Sequence, residues 1–271
     1  MKTLKTAPPT AWFGMIVVAL TMLTAIFAPL IAPHAETEIV GMQFLPWSAE
    51  HPLGTDNLGR DMLSRMIYGA RNTVGLALLT TAMAFAAGSM LGMFAALRGG
   101  WVDQVLSRII DVIMAVPPLI LALMMLAIVG PSIPNMVAVI AFIYVAPVYR
   151  LARAAAMNVV RLDFIEAARL RGEGTFWLMR REVLPNISST LIAEFGLRFC
   201  FVFLFIAALS FLGIGIQPPT ADWGSMVKDN ATLITFGDIT PLIPAGAIAL
   251  LTVAINFIVD WMLHRASGLK T

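Results

Sequence analysis

Long apolar runs alternate with short polar segments along the whole chain, and this alternation predicts helices that cross a membrane. A helix needs about 20 consecutive apolar residues to cross the hydrocarbon core of a bilayer. Six runs approach or exceed this length, and they cover residues 11–32, 73–97, 105–129, 135–149, 187–215 and 241–263. The pattern therefore predicts an all-α integral membrane protein with six transmembrane helices.

Three of these runs have features of their own. The position of the first run also fits a cleaved signal peptide, but its length and the Pro33-His34 pair after it favour a retained helix. Pro117-Pro118 predicts a kink in the third run, because proline interrupts helical hydrogen bonding. The fourth run is short, and we expect its helix to continue beyond the membrane through Arg153.

The polar segments complete the division of the chain. Residues 1–10 form a short tail, residues 33–72 a long loop, and residues 264–271 a second tail. The membrane core of residues 73–263 contains the longest charged stretch, residues 161–186.

The second half of the long loop predicts an amphipathic helix over residues 57–68, with Asp56 or Thr55 as its cap. Apolar side chains recur there every four residues, while the positions between them are charged or polar. We expect this helix to lie in the membrane interface with its charged side toward water.

The charged stretch has a helix–turn–helix form. Asp163 is a candidate cap for a helix that continues toward Leu170, and Gly172 with Gly174 interrupts that helix. A second short helix over residues 176–183 should end at Leu184-Pro185, because a residue before proline disfavours the helical conformation.

At this stretch the sequence resembles a known family, the permeases of ABC importers. Their EAA loop is similar to Glu166-Ala167-Ala168, with a glycine six residues after the glutamate and a Leu-Pro pair twelve residues later. Both spacings are present here, although Glu182 stands where many members have isoleucine. The resemblance implies that the following residues couple the permease to an ATPase: Glu166, Ala167, Ala168, Arg169, Gly172, Leu184 and Pro185.

These residue types suit a docking helix. Ala167 and Ala168 are small enough for close approach, Gly172 permits a sharp turn, and Glu166 and Arg169 supply charges that fix orientation in a groove. The alternative is a solvated loop without a partner.

Two further segments resemble the dipeptide, oligopeptide and nickel branch of the same family. They are HPLGTDNLGRDMLSRMIYGAR, which begins at His51, and SFLGIGIQPPTADWGSM, which begins at Ser210. The resemblance implies that their loops receive an extracytoplasmic binding protein. The expected contact residues are Gly54, Thr55, Asp56, Gly59, Arg60, Asp61, Asp222, Trp223 and Gly224.

The resemblance implies a type I importer with alternating access. Its expected partners are a second, similar permease, two ATPase subunits, the binding protein and the lipid bilayer, with no nucleic acid. ATP and Mg²⁺ would be bound by the ATPase subunits, and we expect no cofactor on this chain and no catalytic role. Peptides are the expected substrates, with nickel or another metal chelate as the alternative.

A self-contained ion-coupled transporter is the competing class of function. It would need ionisable groups within the membrane, and Glu194 and Arg198 are the candidate pair, four residues apart on one helix. Arg108 and Asp111 form a second candidate pair, which we interpret as structural.

Composition supports a membrane protein, because the mean hydropathy of the 271 residues is +0.85 and only 13% are charged. The sequence contains no G-x-x-x-x-G-K-[ST] phosphate loop and no H-E-x-x-H or G-x-S-x-G motif. Three scattered histidines and the single Cys200 predict no metal-ligand cluster.

The distribution of positive charge predicts that both termini lie in the cytoplasm, and the resemblance implies that the membrane is the inner membrane of a bacterium. In this orientation thirteen Lys and Arg residues lie at the cytoplasmic side, against four in the outer loops. The cytoplasmic residues are Lys2, Lys5, Arg98, Arg108, Arg150, Arg153, Arg161, Arg169, Arg171, Arg180, Arg181, Arg265 and Lys270, and the outer ones are Arg60, Arg65, Arg71 and Lys228.

Overall fold

A computed structural model describes residues 7–266, and these residues fold into helices joined by loops. The helices are α1 Pro9–Ile31, α2 Met62–Gly69, α3 Gly75–Arg98, α4 Gly100–Ala115, α5 Pro118–Val129, α6 Ile133–Val160, α7 Asp163–Leu170, α8 Thr175–Leu178, α9 Leu184–Phe211, α10 Trp223–Asp229 and α11 Leu242–Ala266. Within the described residues, β structure is limited to two isolated bridges. The predicted all-α fold is therefore confirmed.

Within residues 7–266, five helical stretches are long and apolar enough to cross a membrane, and α4 with α5 makes a sixth if the bent pair counts as one span. The bend between α4 and α5 is 90°, sharper than the kink predicted from Pro117-Pro118. Val116 and Pro117 both adopt extended ψ angles, 131° and 128°, so the helix stops and restarts. Proline at the second position also forces extended geometry on the residue before it.

Two helices, α3 and α6, pack closely at the centre of the molecule because glycines face the partner backbone. A Cβ added to Gly88 would lie 2.8 Å from the carbonyl oxygen of Val145, and one added to Gly92 would lie 2.7 Å from that of Tyr149. Both distances are too short for a real side chain. Small residues at such contacts let transmembrane helices approach closely.

The predicted helix over residues 57–68 is wrong at its start. The helix α2 begins at Met62, and its cap is Asp61, whose side chain accepts a hydrogen bond from the backbone of Ser64. A π-helical turn, Ala70–Val74, then joins α2 to α3. The charged face expected to meet water is buried instead, since Arg65 lies inside the loop.

The predicted stop at Leu184-Pro185 is also wrong. Helical structure runs from Thr175 to Phe211, because a π-helical turn over Met179–Val183 precedes Pro185. In this turn the Leu184 N–H donates to the Met179 carbonyl, five residues back. Pro185 then lies directly after this turn, as the second residue of α9.

Two smaller expectations change as well. The cap of α7 is Leu162, with Asp163 as the first helical residue. Arg108 and Asp111 form no ion pair within residues 7–266; instead Asp103 pairs with Arg153 and links α4 to α6.

The ends of the chain are described in part. The helix α11 continues to Ala266, past the predicted end of the last span, and α1 packs on it where Gly14 meets the backbone of Ala254. The predictions for Lys2, Lys5 and Lys270 concern positions outside the described residues.

Candidate functional site

The candidate coupling loop, residues 161–186, folds around the sharp turn that ends α7. Gly172 has a φ of +85°, and its N–H donates to the carbonyl of Arg169 at 2.9 Å. The N–H of Glu173 donates to the carbonyl of Ala168 at 3.2 Å. These two bonds form a Schellman motif, in which a left-handed residue follows the last helical turn. A Cβ at Gly172 would meet no atom within 4 Å, so space does not require glycine here. The positive φ angle does, because other residues adopt it only at a cost.

The inner side of α7 is fixed to the membrane helices. Ile165 and Ala168 are fully buried in an apolar cluster with residues of α3, α6 and α9. The Arg169 guanidinium donates to the carbonyl of Leu97 at 2.9 Å and so satisfies the carboxyl end of α3. Ala168 therefore differs from the expectation for a docking residue, because it is buried within the chain, whereas Arg169 makes this contact and remains exposed.

The outer side of the loop exposes apolar side chains. Leu170 is 84% exposed and Phe176 is 67% exposed, and Glu166 and Ala167 are exposed as well. We call these four residues the docking surface. A depression beside it is lined by Val160, Arg161, Leu162, Glu166, Arg169 and Leu170. Sequence reasoning missed Leu170 and Phe176, although their positions in an otherwise charged segment were a signal.

The loop of residues 33–72, the first of the two loops expected on the outer side and called the first outer loop below, is built around a buried carboxylate. Asp56 Oδ1 accepts from the backbone N–H groups of Leu58 at 2.8 Å and Arg60 at 2.9 Å. Its Oδ2 accepts from Arg60 Nε at 2.7 Å and lies 3.2 Å from Arg65 Nε, as an ion pair. All three charged side chains are buried. Opposite charges at such distances compensate the loss of hydration that burial imposes.

Two glycines let the loop fold back on itself. Gly54 and Gly59 have φ angles of +71° and +75°, and a Cβ on either would meet a carbonyl oxygen, of Leu45 at 2.3 Å or of Gly41 at 2.2 Å. Thr55 adds a hydrogen bond from its hydroxyl to the carbonyl of Met42 at 2.7 Å.

The second outer loop, residues 217–240, is attached to α2 and to the π-helical turn that joins α2 to α3. Asp222 caps α10 by accepting from the Ser225 N–H at 2.8 Å, and it accepts from the Thr73 hydroxyl at 2.8 Å. Burial raises the pKa of this carboxyl, and the hydrogen bonds oppose the shift. The Trp223 indole donates to the carbonyl of Met66 at 3.0 Å, and Gly224 lies against the backbone of Ala207 in α9.

Glu36 and Asn72 connect the two outer loops. Asn72 donates to Glu36 Oε1 at 2.8 Å and to the carbonyl of Ala221 at 2.9 Å, and the same Glu36 oxygen accepts from the Ala221 N–H. Arg65 reaches across as well, 3.3 Å from the carbonyl of Pro219.

The nine outer-loop residues predicted to contact a binding protein are all buried. Their side chains and backbones hold the two loops together, so direct contact with a docked protein is not their role in this structure. Other large side chains of the same two loops are exposed instead. These are Ile39, Met42, Trp47, Ile234, Phe236 and Ile239, which we call the outer rim.

The pair within the membrane forms the predicted contact. Arg198 Nε donates to Glu194 Oε1 at 3.1 Å, and the guanidinium lies 5.5 Å from the ring centroid of Phe201 and 5.8 Å from that of Tyr144. A cavity of about 270 Å³ opens beside Arg198, lined also by Pro118 and other residues around the α4–α5 bend.

Two of the three histidines, which the sequence places far apart, lie close together in the fold. His34, His51 and Asp61 bring one potential ligand atom each to within 4.8 Å of one another in the first outer loop.

The sequence pattern of a known family matches two thirds of this chain. Residues 88–267 match the family described as "Binding-protein-dependent transport system inner membrane component". Residues 8–59 match "N-terminal TM domain of oligopeptide transport permease C".

Individual relatives agree with this match over nearly the whole chain. A dipeptide transport system permease protein DppC of Alkalihalophilus pseudofirmus is 38% identical over 251 residues, which cover 91% of this chain and 82% of the relative. A di/tripeptide permease DppC of Pseudomonas aeruginosa is 36% identical over 258 residues, covering 91% and 84%. A probable D,D-dipeptide permease DdpC of Escherichia coli is 33% identical over 258 residues, covering 95% and 86%. The chain therefore belongs to the family of binding-protein-dependent transport system inner membrane components, and it is a multi-pass permease subunit of that kind.

Proposed function

We propose that this chain is one of two permease subunits of an ATP-driven importer of peptides. The observation that carries the proposal is the coupling loop, which is fixed to the membrane helices on one side and exposes the docking surface on the other. Exposed large apolar side chains in a charged segment indicate a protein partner. In this family an ATPase subunit is the partner that such a surface fits.

The contacts of α7 suit it for the transmission of motion. Ile165 and Ala168 lie in one buried cluster with Met93 of α3, with Val183 in the π-helical turn and with Ile187 at the start of α9. A close-packed cluster moves as a unit, because its side chains have no free volume into which to shift. An ATPase that displaces α7 would therefore displace the ends of several spans together.

We infer that both termini and the coupling loop face the cytoplasm. The charge distribution supports this, because the loop and the adjacent helix ends carry most of the arginines. The outer rim then faces the extracytoplasmic side, where it offers apolar surface to a loaded binding protein. ATP and Mg²⁺ would be bound by the ATPase subunits, which leaves this chain without a cofactor for transport.

Peptides are the substrates that the relatives favour. Those described above are named for dipeptides, tripeptides or D,D-dipeptides, and none of their names refers to a metal. The alternative of a nickel or other metal chelate is therefore not favoured. A self-contained ion-coupled transporter is also disfavoured, because Glu194 and Arg198 neutralise each other on one helix.

Reconstitution tests the proposal directly. The chain would be expressed with its partner permease, the ATPase subunits and the binding protein, and placed in proteoliposomes. We expect ATP-dependent uptake of a labelled dipeptide and no uptake of labelled nickel. Uptake of the dipeptide without ATPase subunits, driven by an ion gradient, would contradict the proposal.

A variant with a reversed charge in the docking surface can be compared with the wild type in the same uptake assay. Glu166→Lys reverses the charge at this position. Where the wild-type carboxylate faces a positive group of the partner, the variant brings two like charges together, and such contacts cost several kcal/mol. We expect it to abolish uptake while the chain still inserts and assembles with the second permease. Wild-type uptake in this variant would mean that the loop is a solvated connector.

A further inference from the structure

Three side chains from separate parts of the first outer loop converge on one point. His34 follows the end of α1, His51 lies in the middle of the loop, and Asp61 caps α2. One ligand atom from each lies within 4.8 Å of the other two. Nothing in the transport mechanism proposed above uses this group.

Two of the three atoms already have the spacing of metal ligands. His51 Nδ1 lies 3.3 Å from Asp61 Oδ1. Zinc bonds to nitrogen and oxygen of about 2.0–2.2 Å, arranged tetrahedrally, place two ligand atoms about 3.3–3.6 Å apart. The His34 ring is farther away, with its centroid 5.9 Å from that of His51. Its side chain is 31% exposed, so a rotation of the ring meets little resistance.

The carboxylate and the backbone of His34 are held by a common serine. Asp61 Oδ2 accepts from the Ser64 N–H at 2.8 Å and from the Ser64 hydroxyl at 2.7 Å, which leaves Oδ1 directed toward the histidines. The hydroxyl oxygen of Ser64 accepts from the His34 backbone N–H at 3.0 Å. Hydrogen bonds to the groups behind the ligands are typical of metal sites, because they fix ligand orientation.

Burial and charge also fit a cation. Asp61 is 1% exposed and His51 12%, so the group is closed on one side and open to solvent past His34. A further carboxylate oxygen, from Glu38, lies 3.8 Å from His34 Nδ1. Two imidazoles with a carboxylate prefer zinc to calcium or magnesium, which take oxygen ligands.

We propose that His34, His51 and Asp61 bind a zinc ion that ties the end of α1 to the start of α2. Water or Glu38 completes the coordination. The ion is a structural ligand of the loop and is distinct from transported cargo, because Asp61 belongs to the buried cap of a helix. Bound zinc restricts the loop whose outer rim faces the binding protein, so it stabilises this surface in one conformation.

Zinc titration of the purified permease complex tests the site. The complex would carry an affinity tag without histidine, would be treated with a chelator, and would be titrated with Zn²⁺ against a chromophoric competitor. We expect one tight site per chain. His34→Ala and His51→Gln should each weaken binding at least tenfold, since even the loss of a supporting residue costs 10- to 100-fold. His264→Ala is the matched control and should bind as the wild type does, because His264 lies on α11.

Thermal unfolding separates loss of the site from loss of the fold. Without zinc, His34→Ala should unfold at the wild-type temperature, because the His34 ring is partly exposed. Zinc should raise the unfolding temperature of the wild type and of His264→Ala, and should leave that of His34→Ala unchanged. Equal zinc affinity in His34→Ala and the wild type would overturn the proposal, as would the absence of a tight site in the wild type. In either case His51 and Asp61 form only a hydrogen bond.

Discussion

Substitutions of two equally exposed side chains, one in the docking surface and one in the outer rim, should weaken different associations. Leu170 lies on the coupling loop and Phe236 on the second outer loop, and each is 84% exposed. If the loop binds an ATPase and the rim binds a substrate-loaded protein, Leu170→Ser should weaken only the first association. Phe236→Ser should weaken only the second.

The size of the first effect follows from the exposure of Leu170. Complete burial of a leucine side chain contributes about 1.5–3 kcal/mol. Since 84% of this residue is available to a partner, its loss should cost about 1.3–2.5 kcal/mol. This energy corresponds to a roughly 10- to 70-fold weaker association of the ATPase subunits. The fold should be unaffected, because the side chain makes little contact within the chain.

The assay measures both associations on the same reconstituted permease. ATPase subunits and loaded binding protein would be titrated separately against the wild type, Leu170→Ser and Phe236→Ser in nanodiscs. The crossed pattern is the critical result, because general damage to the membrane core would weaken both associations in one variant. If Leu170→Ser bound the ATPase as tightly as the wild type, the assignment of the docking surface would be refuted.

Three further substitutions test other parts of the structure. Gly172→Val should lower binding-protein-stimulated ATP hydrolysis, because a left-handed φ costs other residues about 1–2 kcal/mol, whereas Gly174→Val at a φ of −77° should not. Arg198→Leu should reduce the yield of folded protein more than the same change combined with Glu194→Gln, because an unpaired charge in a span costs about 2.5–3.5 kcal/mol. A lower yield from the double variant than from Arg198→Leu would exclude the pairing. Gly92→Ala should lower the thermal stability in detergent by about 1–3 kcal/mol, because its Cβ meets the α6 backbone.

The membrane helices could be predicted because length and hydropathy are local properties of the sequence. Runs of about 20 apolar residues have few alternatives to a membrane helix. The breaks and ends of the helices were harder to predict, because the predictions based on proline were wrong at two positions. Pro117-Pro118 breaks a helix that was expected to bend, and Pro185 lies within one that was expected to end. In each case the local backbone, extended or π-helical, decides the outcome.

The coupling loop shows what a local pattern cannot reveal. Its glycine and its short helix were recognised from residue types and spacing. Which side of α7 is buried could not be recognised from the sequence. Ala167 and Ala168 are the same residue type, and only tertiary packing buries Ala168. The role of Arg169 depends on the carbonyl of Leu97, which is 72 residues away in sequence.

The outer loops were misread for a related reason. Charged residues such as Asp56 and Arg65 were assigned to a surface because isolated charges favour water. They are buried because each charge has a partner within the same loop, and pairing compensates the lost hydration. His34 and His51 likewise appeared scattered, since the fold of the loop alone brings them together.

Two helices connect the ends of the molecule, and this connection gives the buried outer-loop residues a function. At one end of α3, Arg169 binds the carbonyl of Leu97, and just before its other end the Thr73 hydroxyl binds Asp222. The first turn of α9 lies in the buried cluster of the coupling loop, while Gly224 contacts its far half at Ala207.

Each of these helices therefore joins the coupling loop to the second outer loop. At 1.5 Å per residue, the 24 residues of α3 and the 28 of α9 span about 36 and 42 Å. Because both helices are held at both ends, neither can tilt without moving the loops. We therefore expect a displacement of the coupling loop to reach the outer rim as a movement of the whole unit. The buried residues of the outer loops hold this unit together, and in the proposed import cycle the exposed rim is the surface that a binding protein would meet.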